Sequence, residues 1–300
     1  MVKFATKLKI GDTIGIVCPS HVADPVRHKR SITVLEPLGY KVKIGKNVYK
    51  DTYGYCAGAD ERADDFNEMV ADKDVKMVLF GGGQGAAELL PLIDCDAVRC
   101  NPKLFCSYSD GTSIINVIHA QTGLVTYYGC MPGAFNDLRY YDLQQFTQHF
   151  VEGNGSRLFL SDSEWRTING GVCEGELIGG YLPLFGMLQG NKYFDYDKSK
   201  KYILFLEDHE KFSSVGAVAT YLAFIEQSAV MQSVSGVIFG HYSDAPSETL
   251  FGVFERFAKR NNIPAVYTDD FGHGTKHAIF PIGASARLDT ITHTLEFYDY

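Results

Sequence analysis

Along the first half of the chain, short aliphatic and β-branched runs alternate with stretches whose apolar positions recur every three to four residues. TIGIV (13–17) reads as a buried strand, and Asp24-Pro25 supplies a cap and first-turn proline for a helix carrying Val34, Leu35 and Leu38. KVKI (41–44) follows, then ERADDFNEMVA (61–71), which puts Ala63, Phe66, Met69 and Val70 on one helical face. VKMVLF (75–80) leads into glycine-rich GGGQG (81–85) and a short helix. KLFC (103–106), the polar turn SYSDGTS (107–113), a helix over IINVIHA (114–120) and VTYYG (125–129) continue the alternation. Strands and helices in this rhythm predict a mostly parallel sheet covered on both faces.

The pattern weakens between residues 153 and 169 and then changes. GVCEGELIGGYL (171–182) is glycine-punctuated and strand-like, YILFLE (202–207) is a buried strand, and SSVGAVATYLAFIEQS (213–228) is a strong helix. VSGVIFG (234–240), a helix over 247–260, AVYT (265–268) and two terminal strands around 284–288 and 294–298 complete it. The expected organisation is an N-terminal α/β domain over 1–155, a linker over 156–170, and a C-terminal domain over 171–300 that is mixed α+β and barrel-like.

Composition narrows the partners. The 300 residues are 45% hydrophobic, enough apolar side chain for large cores, and 28 basic against 36 acidic residues give a formal charge of -8. That balance offers no electrostatic footprint for nucleic acid or an anionic membrane, and it favours a small-molecule or protein partner. The first 17 residues scatter their charges and lack the apolar core of a secretory signal or anchor, and no apolar run reaches the roughly 20 residues of a spanning helix. Seven cysteines without a compact framework suit a reducing compartment, so a cytoplasmic location is expected. The spacing of Cys95 and Cys100, with no second pair, does not suggest zinc.

Ligands of open parallel sheets gather beyond the carboxyl ends of the strands, where this chain places two loops. In Ser107-Tyr108-Ser109-Asp110-Gly111 a small residue precedes Ser109 by two and glycine follows by two, the spacing of a nucleophile elbow. There the N–H of Asp110 would face a developing oxyanion. A helix-capping turn accounts for the same residues. GGGQG brings backbone N–H groups close to a ligand, as a second oxyanion donor or simply a tight packing loop. It lacks the ending of a P-loop and the spacing of a dinucleotide fingerprint. Among nine histidines, His28 and His149 fall in polar helical patterns, His119 in an apolar helix and His293 near a terminal strand. His273, glycine-flanked directly after a strand, is the one placed to project into a cleft. His277 lies four residues on, but without the helical pattern a metal pair would need. Glu207 ends a very apolar strand, where an acid is costly unless partnered, so it is either the acceptor that orients histidine or the cap of the next helix. Asp208 and Glu210 read as solvated.

Taken in order, GDTIGIVCPS, AGADERADDF, FGGGQGAAELLPLID, SYSDGTS, VTYYGCMPG, GELIGGYL, ILFLED and DDFGHGTKHAIFPIG resemble the serine LD-carboxypeptidases, peptidase family S66, which also includes the microcin C immunity peptidases. The resemblance covers nearly the whole chain. It implies Ser109 as nucleophile, Glu207 and His273 as its partners, and an oxyanion hole from the N–H of Asp110 with Gly82, or next Gly83. It further implies a flavodoxin-like N-terminal domain carrying the serine, a C-terminal domain carrying glutamate and histidine, an active site between them, a homodimer, and no metal or cofactor. The implied reaction is hydrolysis of the L,D bond to terminal D-alanine in murein tetrapeptide during cell-wall recycling. An immunity-type amidase acting on aminoacyl-nucleotide analogues is the alternative within the family, and a non-catalytic small-ligand-binding protein the alternative outside enzymes. The family's frequent R-G-G-Y-G is GGGQG here, its G-G-N-L reads Gly179-Gly180-Tyr181-Leu182, and the glycine two before the nucleophile is Ser107. The short span from Ser109 to Glu207 resembles the carboxypeptidase branch more than the immunity branch. The single tryptophan, Trp165, could stack on a base or pack at the domain linker.

Overall fold

The computed structural model describes residues 3–152 and 157–298. The chain divides into two compact units, 1–153 and 154–300. The boundary expected at 155/156 lies outside the described residues.

The first unit alternates strand and helix: β1 (Thr13–Val17), α1 (Pro25–Leu35), β2 (Lys41–Ile44), α2 (Ala59–Ala71), β3 (Val75–Phe80), α3 (Cys95–Cys100), β4 (Leu104–Ser107), α4 (Thr112–Thr122), β5 (Thr126–Tyr128) and α5 (Tyr140–Phe146). Its five strands lie in the order β5-β4-β3-β1-β2, all parallel. This 2-1-3-4-5 winding reverses direction beside β1 and β3, and doubly wound sheets bind ligands at such a reversal. Sequence chemistry sets the helix ends. Asp24 caps α1 by accepting from the Val26 N–H at 2.8 Å, with Pro25 in the first turn. The helix stops at Leu35, short of Leu38, because Pro37 disfavours a helical residue before it and brings no N–H of its own. The face predicted for α2 is the buried one: Ala63, Phe66, Met69 and Val70 all point into the core. Phe66 is stacked on Phe105 at 5.6 Å and meets Phe80 edge-on at 5.8 Å.

The second unit holds β6 (Arg157–Leu158), β7 (Trp165–Asn169), β8 (Val172–Tyr181), α6 (Leu182–Leu188), β9 (Tyr202–Glu207), α7 (Val215–Gln227), β10 (Val234–His241), α8 (Glu248–Asn261), β11 (Ala265–Gly272), β12 (Phe280–Ile282), β13 (Ser285–Asp289) and β14 (Thr294–Tyr298). Eight of these strands form one sheet in the order β6-β14-β13-β8-β9-β10-β11-β7. The four central strands, β8 to β11, are mutually parallel, and antiparallel strands flank them on both sides. The sheet curls. Thr167 of β7 donates to the Thr290 carbonyl just past β13, and the Gly171 N–H reaches the Thr290 hydroxyl at 3.0 Å. The stretch expected as linker therefore carries two strands, and Arg157–Leu158 and Trp165–Asn169 belong to the sheet. Trp165 is buried within it, its ring 5.7 Å from Phe159 and its Nε1–H donating to Ser161 Oγ at 2.9 Å and Asp270 Oδ2 at 3.1 Å, so it packs inside the unit.

Because Phe66 is completely buried between two other rings, Phe66→Ala is expected to cost about 3–5 kcal/mol of stability. Urea denaturation followed by circular dichroism measures this, and a loss below about 1 kcal/mol would show that the first unit's core does not depend on that aromatic stack.

Candidate active site

At the carboxyl end of β4 the chain must turn from strand to helix within a few residues, and Ser109 makes the turn. Its φ is 56°, the left-handed region that a β-carbon disfavours by about 1–2 kcal/mol. A 3-10 turn over Ser109–Gly111 then opens α4. Surrounding contacts hold the strained residue. Its N–H donates to the Tyr128 hydroxyl at 3.2 Å, and its carbonyl accepts from Thr112 Oγ1 at 2.6 Å. The small residues on either side are steric requirements. Ser107 Oγ donates to the Phe80 carbonyl at 2.8 Å and lies where a β-carbon on Gly111 would come within 1.9 Å of it.

The glycine-rich loop lies directly against this elbow. A β-carbon on Gly82 would stand 2.4 Å from the Ser109 β-carbon and 3.5 Å from the Asp110 nitrogen, so only glycine fits there. Gly83 packs on the Ser20 carbonyl, and the Gln84 N–H donates to that same carbonyl at 2.8 Å. Asp110 has a structural task besides its amide: its buried carboxylate accepts from the Ala86 N–H at 2.7 Å, tying elbow to loop. Burial pushes its pKa up, and the Ala86 hydrogen bond opposes the shift. Arg62 adds the second tie. Its guanidinium, 3% exposed, donates to the carbonyls of Pro19, Ala57 and Gly85 and pairs with Glu88. Gly82 also lines a cavity of about 300 Å³ with His21, His28, Met131 and Pro132.

The second unit concentrates its chemistry at one edge. The four parallel strands end in Tyr181, Glu207, His241 and Gly272, with His273 next in the chain. Glu207 is 1% exposed and does not cap a helix; α7 is capped by Ser214. Its Oε2 instead accepts from His273 at two points, 2.8 Å from Nδ1 and 3.2 Å from the backbone N–H. A carboxylate on Nδ1 directs the other ring nitrogen, Nε2, to any substrate chemistry. Two rings flank the imidazole, Tyr181 at 4.9 Å and Phe212 at 5.1 Å.

One sequence expectation at this edge is corrected, and two residues that sequence reasoning missed join it. Asp208 is buried rather than solvated, and burial pushes its carboxyl up to about 6 against the pull of hydrogen bonds from Ser213 and His209. His241 and His209, which nothing in their sequence context singles out, belong to the same cluster: their rings lie 5.6 Å apart, and His209 lies 6.4 Å from His273. The available signal is position, since His241 ends a buried strand just as Glu207 does. Burial, and then the neighbouring His241 and His273, lower the His209 pKa. Among the described residues no group of three or more histidine, cysteine, aspartate or glutamate side chains could hold a metal ion. No described helix is long and apolar enough to cross a membrane.

The first unit thus holds a strained serine elbow on a doubly wound sheet, and the second a buried carboxylate–histidine pair at the ends of its parallel strands. The chain belongs to peptidase family S66: the profile of the LD-carboxypeptidase N-terminal domain matches residues 14–129 and that of the C-terminal domain residues 174–288. It is 31% identical to a probable murein peptide carboxypeptidase of Bacillus subtilis, over 96% of this chain and 92% of that one. A crystal structure of an MccF-like protein from Bacillus anthracis, 26% identical, matches with a TM-score of 0.91 over 100% of both chains. That of a muramoyltetrapeptide carboxypeptidase from Oxalobacter formigenes, 25% identical, matches with a TM-score of 0.82 over 96% of this chain and 99% of that one.

Asp208 supplies a pH-dependent prediction. Its carboxyl binds a proton more readily folded, near 6, than unfolded, near the ordinary ~3.9, so its contribution to stability declines as pH rises through that window. Asp208→Asn removes the buried charge. It is expected to be more stable than the parent at pH 7.5 by on the order of 1–3 kcal/mol, with the gap closing near pH 4. Urea midpoints at both pH values test this; an equal gap at both would refute it.

Proposed function

We propose that this chain is a serine LD-carboxypeptidase that releases terminal D-alanine from murein tetrapeptide. Ser109 is the nucleophile, His273 its general base and then acid, and Glu207 the acceptor that holds the histidine. The single observation that carries this reading is the 2.8 Å contact between His273 Nδ1 and the buried Glu207 carboxylate, in a chain of this family. Nδ1–H donated to Glu207 leaves Nε2 to accept the Ser109 proton as Oγ attacks the carbonyl carbon. The tetrahedral oxyanion receives hydrogen bonds from the backbone N–H of Asp110 and of Gly82, with Gly83 as the further candidate. Collapse breaks the C–N bond as His273 returns the proton to the departing amine, leaving an ester on Ser109. Water, deprotonated by the same imidazole, hydrolyses that ester. General base catalysis of this kind is worth roughly 10²–10⁴ in rate.

The relatives support the substrate, two of them being named for murein or muramoyl peptide carboxypeptidase activity. Seven free thiols suit the reducing cytoplasm where such peptides would be recycled, and a homodimer is the assembly we expect. One observation favours a second reading, an immunity-type amidase: the fold matches the MccF-like structure at a TM-score of 0.91, above the 0.82 of the muramoyl peptide enzyme. Parallel assays of D-alanine release from L-Ala-γ-D-Glu-meso-diaminopimelyl-D-Ala and of hydrolysis of an aminoacyl sulfamoyl adenosine separate the two. Release of D-alanine is expected, and hydrolysis of the analogue alone would replace the first reading with the second.

Ser109→Ala is expected to abolish D-alanine release while the circular dichroism melt stays intact; turnover by that variant would remove the serine from the mechanism. Gly82→Ala forces a β-carbon into Ser109, and it is expected to lower kcat by about 10²–10³, the range for losing one oxyanion donor. Steady-state kinetics at saturating tetrapeptide measure it, and an unchanged kcat would exclude this loop from the oxyanion site.

A further inference from the structure

Between β9, which ends in Glu207, and β11, which leads into His273, runs β10, which ends in a second histidine with its own carboxylate. His241 Nδ1 stands 2.8 Å from Asp269 Oδ1. The same Asp269 oxygen accepts from the Tyr267 hydroxyl at 2.6 Å, and the Tyr242 N–H donates to that hydroxyl at 3.2 Å. The His241 ring is thus pinned on its Nδ1 edge, and its side chain is only 7% exposed.

What the ring faces gives it a role. The backbone of His241 is in register with Gly272, the residue before His273, across a bulge in the β10–β11 pairing. Gly274, the residue after His273, rests on the imidazole: a β-carbon there would lie 2.8 Å from His241 Cγ, 2.9 Å from Cδ2 and 3.0 Å from Nδ1. The turn bearing the proposed base is therefore gripped at both ends. A β-carbon on Gly272 would come within 3.0 Å of the Glu207 carboxylate, while Gly274 sits on His241. Two glycines make the turn pliable, and a pliable turn does not by itself keep an imidazole within hydrogen-bond reach of its carboxylate.

We infer that His241, oriented by Asp269, is a positioning residue: its ring is the floor that sets the height and tilt of the Gly272-His273-Gly274 turn and so keeps His273 Nδ1 on Glu207. His241 acts through the turn and exchanges no proton with substrate. The inference rests on the proposed role of His273, so its test uses a chemistry that needs the base but no particular substrate.

A fluorophosphonate probe serves: an Oγ–P bond forms on Ser109, fluoride leaves, and the serine proton passes to His273. Mass spectrometry of the labelled protein at a series of probe concentrations yields the maximal rate, kinact, and the half-saturating concentration, KI. His241→Ala removes the floor, and Gly274→Ala pushes a methyl into it. Each is expected to lower kinact at least tenfold with KI within twofold of the parent, and the melting temperature of each variant shows whether it is folded. In the double variant the methyl introduced by Gly274→Ala occupies the space the ring has left, and kinact is expected to recover to within about threefold of the parent. Single variants that label at the parent rate overturn the inference alone, as does a double variant no faster than the slower single one. Parent protein as inert to the probe as Ser109→Ala overturns the catalytic reading and this inference together. A labelled parent that releases no D-alanine changes the substrate and leaves the inference standing.

Discussion

A side chain can be presented at the end of a parallel strand only where its neighbours give up their own β-carbons, and this steric exclusion underlies both chemical clusters of the molecule. Ser109 holds a left-handed backbone at the end of β4 because Gly111 admits the Ser107 hydroxyl and Gly82 admits the Ser109 β-carbon. The strain is of order 1–2 kcal/mol and persists only because surrounding contacts over-determine it. The Tyr128 hydroxyl on its N–H, the Thr112 hydroxyl on its carbonyl and the Asp110 carboxylate on the Ala86 N–H provide them.

The second unit applies the same exclusion to an imidazole. Glu207 and His241 end adjacent parallel strands, and the turn after the third rests between them on glycines. An acid at 1% exposure is costly when alone, and the two hydrogen bonds from His273 offset that cost. Asp208, next in the chain, is also buried, and burial pushes its carboxyl up to about 6 against hydrogen bonds from Ser213 and His209. Two adjacent acids thus differ in environment although their sequence context is nearly the same.

How much of this is legible in the sequence depends on whether the signal is local. The small residues around Ser109, the glycines around His273 and the acid ending YILFLE each announce an unusual backbone or an unusual burial, and all three recur in the structure as elbow, turn and buried carboxylate. The face of α2 is legible because helical periodicity and burial are the same pattern. Helix α1 ends at Leu35, sooner than its apolar pattern suggests, because Pro37 interrupts the backbone while Leu38 carries the pattern on past it. Strands β6 and β7 escape a reading of the sequence because each owes its place to a distant partner, β14 and β11 respectively, and not to its own hydrophobic alternation.

Periodicity, glycine and proline act within a few residues of where they stand, so the alternation of strand and helix in the first unit, the family and the unusual residues ending β4 and β9 follow from the chain read as a string. Which of those residues come to share an environment does not. Nothing in the vicinity of His241 along the chain points to Gly274 or Asp269; the strand order β9-β10-β11 brings them together. Burial and partnership are properties of packing, and packing joins residues whose separation in the chain is set by topology alone.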